Sequence, residues 1–299
     1  MSNIPKLIKD ILNSQPIVIP VFNEIALRLQ QKVREETYEI HEIVDLIHED
    51  QALASAMLRY ANSTYNSSTI PITTIKNAAI RLGSQQIVNL AFTASMATTR
   101  SNNQNINIYM TKLWRHCHDV AMGSAALALK IGRERNIPDL DPDEVYLAGL
   151  LHDIGKLYLL KVIDRLITTD MLHPGNDIIN EILDELNIEQ GLRVMNNYNL
   201  PNIYSNAIER LCADDWQCGL NDHLVAAVRL SCKAYHSIDQ GIEWPNLADD
   251  SAVVNDIKAE MDLLEIEDLR HLCSVIGIID NGGGRIMAPG EAVSAQPIC

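Results

Sequence analysis

The sequence lacks the excess of basic residues that broad nucleic-acid binding requires. Its 299 residues include 24 Lys and Arg against 39 Asp and Glu, which gives a formal net charge of −15. Because a surface of this sign repels phosphate backbones, we expect no nucleic-acid partner. Residues 1–100 contain nine basic and nine acidic residues, so the acidic excess falls on residues 101–299. This uneven distribution indicates two regions.

Paired cysteines and long apolar runs are also missing. The six cysteines include no Cys-x-x-Cys pair, and five lie in apolar or helical contexts, where a thiol behaves as a small hydrophobic group. The N-terminus has no basic segment followed by an apolar one, and no stretch approaches the roughly 18 apolar residues of a membrane span. We therefore expect a cytoplasmic protein that does not insert into a membrane.

Strand-like alternation with Asn-Gly or Asp-Gly turns is nearly absent, whereas helical periodicity is frequent. Apolar residues spaced by three and four positions predict helices over residues 21–34, 40–47, 53–61, 75–82, 87–96, 114–131 and 145–160. We expect Gly83 to end one helix and Ser84 to cap the next. The sequence therefore predicts an all-α fold.

An Asn-rich polar segment, 99–107, separates the neutral part of the chain from the acidic part. We predict an N-terminal helical region at 1–103 and a second helical region at 104–240. Further helices are expected at 241–280, where a helical pattern covers residues 251–275. The small and polar residues 281–299, which begin with three glycines after Asn281, are expected to form a flexible tail.

Two segments combine residues that bind divalent metals. His152 and Asp153 are adjacent at the end of an apolar helical pattern, with Gly155 placed where that helix is expected to end. About 36 residues upstream, His116 lies on another amphipathic helix. An imidazole nitrogen and a carboxylate oxygen are ligands for Zn, Fe or Mn, so a facing His116 would complete a set of three.

In these residues and in several further segments, the sequence resembles the HD superfamily of metal-dependent phosphohydrolases, and more closely its HDOD (HD-related output domain) branch. The resemblance covers about residues 12–240. Its landmarks are segments 50–53, 58–63 and 75–83, then His116, the His152-Asp153 pair, Leu200-Pro201 and Ala207-Ile208. It implies an N-terminal bundle of short helices packed on a degenerate HD-type helical domain.

The resemblance also implies where the remaining superfamily ligands should stand. Counting from the later landmarks, those positions hold Asn187, the pair Leu211-Cys212, and Cys232, so every downstream ligand is replaced. A catalytic metal needs about three protein ligands and an open position for water. Of the ligand positions that the resemblance implies, only His116, His152 and Asp153 hold the residue type that the superfamily uses.

Three interpretations of this set stay open at this point. The three side chains are a vestigial site without metal, or they bind a divalent ion (Mn, Fe, Zn or Mg) without turnover, or they form a working hydrolase. In the first interpretation, His116 hydrogen-bonds Asp153 and Lys156 neutralises the same carboxylate. In the third, the thiolate of Cys232 completes a tetrahedral zinc set with His116, His152 and Asp153.

The function that we predict is intracellular signal transduction of the bacterial HDOD type, through contacts with protein partners. We expect no catalytic residue, no cofactor and no membrane or nucleic-acid partner, and a homo-oligomer is compatible with this role. The alternative is a metal-dependent phosphohydrolase acting on a nucleotide or another phosphoester. A smaller prediction is that Asn62 and Ser63 order the turn after a helix through side-chain to backbone hydrogen bonds.

Overall fold

The computed structural model describes residues 8, 10–12, 21–35, 38–62, 71–135, 137, 140–211, 222–242, 244, 251–269 and 272–273. These residues contain α-helices and no strand, which confirms the predicted all-α fold. The helices with defined bounds are α1 (Glu24–Arg34), α2 (Ile40–His48), α3 (Gln51–Ala61), α4 (Ile75–Leu82), α5 (Ser84–Ala97), α6 (Gln104–Arg135), α7 (Pro142–Leu151), α8 (Ile154–Thr168), α9 (Asn176–Asn197), α10 (Asn202–Leu211), α11 (His223–Asp239) and α12 (Ala252–Leu263).

Short polar side chains begin several helices of the N-terminal bundle, α1–α5. The side chain of Asn23 accepts a hydrogen bond from the backbone of Ile25 at the start of α1, and Asp50 caps α3 in the same way. Asn62 hydrogen-bonds the backbone of Leu58 and of Ile72, as predicted for this turn. Ser63 lies outside the described residues.

Gly83 ends α4 with a φ of +80°, the left-handed conformation expected for it. The prediction for Ser84 is wrong by one position, because α5 begins at Ser84 and Gly83 is its N-cap. With no side chain, Gly83 supplies both the end of one helix and the start of the next.

The helix predicted over residues 145–160 is two helices. Helix α7 ends at Leu151 and α8 begins at Ile154, so the break falls on His152 and Asp153. The role predicted for Gly155 is also wrong, because it lies in the first turn of α8. A Cβ atom there would overlap the backbone oxygen of Asn187 on α9 and approach the backbone nitrogen of Gly191 to 2.7 Å. Gly155 therefore allows α8 and α9 to pack closely.

Polar contacts between α5 and α7 join the N-terminal bundle to the rest of the fold. The Asn89 amide donates to the backbone oxygen of Asp143, and the hydroxyls of Thr93 and Tyr146 lie 2.9 Å apart. One hydrophobic core extends from the bundle through α6–α12. The domain boundaries at 103/104 and 240/241 stay predictions, and the tail 281–299 lies outside the described residues.

Candidate functional site

The helix break between α7 and α8 positions two of the predicted site residues. His152 is the C-cap of α7, and Asp153 is the N-cap of α8. Nδ1 of His152 lies 2.6 Å from the backbone oxygen of Gly149, one turn earlier. Because a backbone oxygen only accepts, Nδ1 carries the proton, and the Nε2 lone pair points away from α7.

The third predicted residue, His116 of α6, faces this break. Its Nε2 atom lies 3.0 Å from Nε2 of His152, and Oδ2 of Asp153 lies 3.5 Å from both nitrogens. All three side chains are buried. The structure therefore brings together the three residues that the sequence singles out.

A positive side chain and an amide hold the carboxylate of Asp153. Nζ of Lys156 donates to Oδ2 at 2.8 Å, and Nδ2 of Asn187 donates to Oδ1 at 2.7 Å. Burial alone would raise the pKa of Asp153, but the electrostatic effects of His152 and Lys156 lower it well below its usual range. Asp153 is therefore an ion paired with Lys156.

His116 is held in its neutral form. Burial, followed by the neighbouring His152, lowers its pKa to about 2, although Asp153 acts in the opposite direction. Its Nδ1 atom is buried without a hydrogen-bond partner among the described residues. A neutral imidazole with its Nε2 atom directed at a second imidazole can act as a hydrogen-bond partner or as a metal ligand.

The register inferred from the sequence landmarks is confirmed for three positions. Asn187 of α9, Leu211 at the end of α10 and Cys232 of α11 all line the pocket that contains His152 and Asp153. Sγ of Cys232 lies 3.9 Å from Nε2 of His116. Cys212 lies outside the described residues. The three positions to which the resemblance assigns further superfamily ligands therefore lie beside His152 and Asp153.

Sequence reasoning missed His236, which also lines the pocket. Its ring centroid lies 4.8 Å from that of His116, and burial, followed by Lys156, lowers its pKa. A signal was present, because residues 232 and 236 are four positions apart and therefore share one face of α11. A Cys and a His four positions apart on a helix present two metal-binding atoms on one face, as a pair of histidines does.

The pocket is a cavity of about 250 Å³ with a mixed charge. Two of its cations, Arg229 and Lys233, are paired with the buried carboxylate of Glu260 on α12, at 2.9 and 3.0 Å. Through Glu260, helix α12 therefore holds two of the pocket-lining side chains in place. The lining residues are His152, Asp153, Lys156, Asp184, Asn187, Ile188, Leu211, Arg229, Cys232, Lys233 and His236.

Comparison with known proteins identifies the family. The sequence profile of the HDOD domain matches residues 19–211. The chain belongs to the HDOD family. The matched segment includes α1–α10 and therefore His116, His152 and Asp153, whereas Cys232 and His236 lie beyond it.

Three similar proteins illustrate how far the likeness extends. An uncharacterised Treponema pallidum (strain Nichols) protein is 24% identical over 196 residues, 64% of this chain and 37% of its own length. A candidate metal-dependent phosphohydrolase from Shewanella amazonensis SB2B has a TM-score of 0.67 and 19% identity, covering 90% of this chain and 96% of its own. An HDOD protein of unknown function from Geobacter sulfurreducens has a TM-score of 0.55 and 21% identity, covering 90% and 97%. These two structures show the fold alone.

Proposed function

We propose that this HDOD chain is a regulatory module in bacterial signal transduction, which acts through contacts with protein partners and does not turn over a phosphoester. The observation that carries the proposal is the ion pair between Lys156 and Asp153. An ammonium group 2.8 Å from the carboxylate supplies the positive charge that a metal would otherwise supply. The carboxylate of the HD pair is thus neutralised by the protein itself.

The donor set of the opposite wall supports the same proposal. Phosphoester hydrolysis by a metal pair requires ligands that bridge and surround both ions, usually carboxylates and imidazoles. Here Leu211 has no donor atom, and the amide of Asn187 donates to Asp153 while its oxygen accepts from the backbone of Lys156. These residues do not fit a bridged pair of hard cations.

One observation favours the alternative, a metal-dependent phosphohydrolase. The donor atoms of His116, His152 and Cys232 lie within 4.8 Å of one another, which is the arrangement of a three-ligand site. A single metal with an open position can activate a water molecule. The general fold of the Shewanella amazonensis SB2B protein is compatible with this alternative.

The test is a phosphoesterase screen of the wild type, His152→Ala and Asp153→Ala, each with added Mn²⁺, Fe²⁺, Zn²⁺ or Mg²⁺. Substrates should include nucleotides and simple phosphoesters, and circular dichroism should establish that each variant is folded. We expect equal background rates in the three proteins. Wild-type activity that both substitutions abolish would replace the regulatory proposal by the hydrolase.

The partner half of the proposal needs its own measurement. A purified candidate partner from the same organism should bind the wild-type chain in the absence of any phosphoester, since the proposed contacts do not require hydrolysis. Loss of binding in a matched surface variant, with the pocket intact, would support recognition through the surface. A partner that binds only while a phosphoester is being hydrolysed would contradict it.

A further inference from the structure

Two nitrogens and one sulfur converge in the pocket at distances close to those of a zinc site. Nε2 of His116 lies 3.0 Å from Nε2 of His152 and 3.9 Å from Sγ of Cys232. Around a tetrahedral Zn²⁺, with Zn–N of about 2.0–2.1 Å and Zn–S of about 2.3 Å, neighbouring ligand atoms are roughly 3.3–3.6 Å apart. These two distances differ from this range by less than about 0.5 Å, and all three ligand atoms lie within 4.8 Å of one another.

The surrounding protein prepares these atoms for a metal. The contact between Nδ1 of His152 and the backbone oxygen of Gly149 fixes the tautomer that leaves Nε2 available. His116 is buried beside His152, and Cys232 carries a reduced thiol. The cavity lined by His152 and Cys232 gives an ion access to the cluster.

We propose that His116, His152 and Cys232 bind one Zn²⁺ ion. A thiolate stands where the HD superfamily resemblance implies a carboxylate, and this exchange favours zinc over the harder ions Mg²⁺ and Mn²⁺. On binding, the proton that Nε2 of His116 donates to His152 moves to Nδ1 of His116, and the thiol proton of Cys232 is released to solvent. Two neutral imidazoles and one thiolate then donate electron pairs to the ion. No electron is transferred.

The three ligands come from distant parts of the chain, so the ion would tie α6, the α7–α8 break and α11 together. A metal that binds the folded chain and not the unfolded one stabilises the fold. The inference deepens the proposed function, on which it rests in one respect: the ion is taken as a structural or regulatory ligand of a module without turnover. Lys156 and Asn187 continue to hold Asp153, which is not required as a ligand.

The test uses the reduced full-length chain after chelation and buffer exchange, titrated with Co²⁺ as a spectroscopic substitute and then with Zn²⁺. We expect a thiolate-to-cobalt charge-transfer band that saturates at one equivalent and is removed by Zn²⁺, with no competition from Mg²⁺. Since outer partners of metal ligands are worth about 10- to 100-fold in affinity, loss of the direct ligand in Cys232→Ser should weaken zinc binding by about 100-fold or more and abolish the band.

Cys273→Ala is the matched control, because Cys273 is a reduced cysteine outside the cluster. It should leave the band and the zinc affinity unchanged. Absence of a saturating band in the wild type, or its persistence in a folded Cys232→Ser variant, would overturn the inference. The wild-type titration decides even if Cys232→Ser does not fold, and His152→Gln provides a second variant that should weaken binding.

The outcomes for the metal and for the function can be separated. Zinc binding with background phosphoesterase rates supports both proposals. Zinc binding with metal-dependent hydrolysis would refute the regulatory function and leave the zinc site standing. A chain that binds no zinc and hydrolyses nothing would refute the zinc site alone.

Discussion

The two walls of the pocket differ in what they offer to a metal. The retained wall consists of His116, His152 and Asp153, and the altered wall consists of Asn187, Leu211 and Cys232. The retained wall has the donors of a hydrolase, but its carboxylate is paired with Lys156. The altered wall contributes an amide, a hydrocarbon and a thiol. The comparison shows that the first wall contains a carboxylate already paired with a cation, whereas the second contains no carboxylate.

The largest effect on stability is expected where α8, which follows Asp153, packs against α9, which carries Asn187. Gly155→Ala would place a Cβ atom against the backbone of Asn187 and Gly191, which cannot move away as a flexible side chain can. We expect the free energy of unfolding to fall by about 3 kcal/mol or more, because overpacking against backbone forces the helices apart. Urea denaturation measures this loss.

Gly132→Ala is the control for this change, because an added Cβ there would meet its nearest neighbour, the backbone oxygen of Leu140, at an ordinary 3.6 Å. Helix propensity alone should then stabilise the protein by up to about 1 kcal/mol. Equal effects of the two substitutions would show that α8 and α9 are not in close contact.

The next effect concerns the charge of the retained wall. Lys156→Met removes the partner of a carboxylate that is 7% exposed, while Lys156 itself is 26% exposed. Removing one partner of a buried pair costs about 3–5 kcal/mol, so with partial exposure we expect a loss of about 2–3 kcal/mol. A double-mutant cycle with Asp153→Asn should show coupling between the two substitutions.

Lys258→Met provides the contrast, since Lys258 pairs with Asp262 on the exposed face of α12. We expect its effect on the free energy of unfolding to be below about 0.5 kcal/mol.

The pH dependence of the stability that Asp153 contributes follows from its lowered pKa. The stabilisation by its charged form is complete above the unfolded pKa near 3.9 and is lost as pH falls through the lower folded value. Stability gained on Lys156→Met at pH 7 would contradict the ion pair.

His116 predicts a second pH dependence at higher pH. Its folded pKa is about 2, against roughly 6.5 in the unfolded chain, so only the unfolded chain takes up a proton between these values. Its contribution to stability is complete above about pH 6.5 and is lost as pH falls, by up to about 1.4 kcal/mol per unit. His116→Gln should reduce this slope.

The smallest effect on stability is expected for a substitution of Cys232, in the altered wall, when no metal is present. Cys232 is half-buried, so Cys232→Ser in chelating buffer should change the free energy of unfolding by less than about 1 kcal/mol. With zinc added, thermal denaturation should separate the wild type from the variant. A large loss in the presence of chelator would mean that Cys232 supports packing independently of any ion.

Much of the fold follows from local patterns. The periodicity of α4 predicts its bounds, and the resemblance to the HDOD family predicts the register that places Asn187, Leu211 and Cys232 at the pocket. Periodicity did not reveal the break at His152 and Asp153, because both helices flanking it are buried and apolar on most sides. The close approach at Gly155 depends on α9, which is distant in sequence.

The site was only partly predictable for a related reason. Ligand spacing points to His116, His152 and Asp153, but the pairing of Asp153 with Lys156 and Asn187 depends on side-chain geometry. His236 was missed because the ring that it contacts, His116, belongs to a different helix. Its four-residue spacing from Cys232 was the available signal.

A crystal structure of the wild type grown with saturating Mn²⁺ would show whether Lys156 occupies the cation's place at Asp153. Mn²⁺ prefers carboxylate oxygens and is located by its anomalous scattering. The account predicts that Nζ of Lys156 stays in contact with Oδ2 of Asp153 and that no manganese is bound to this carboxylate. A manganese ion bound to Asp153 and His152, with Lys156 displaced, would contradict it.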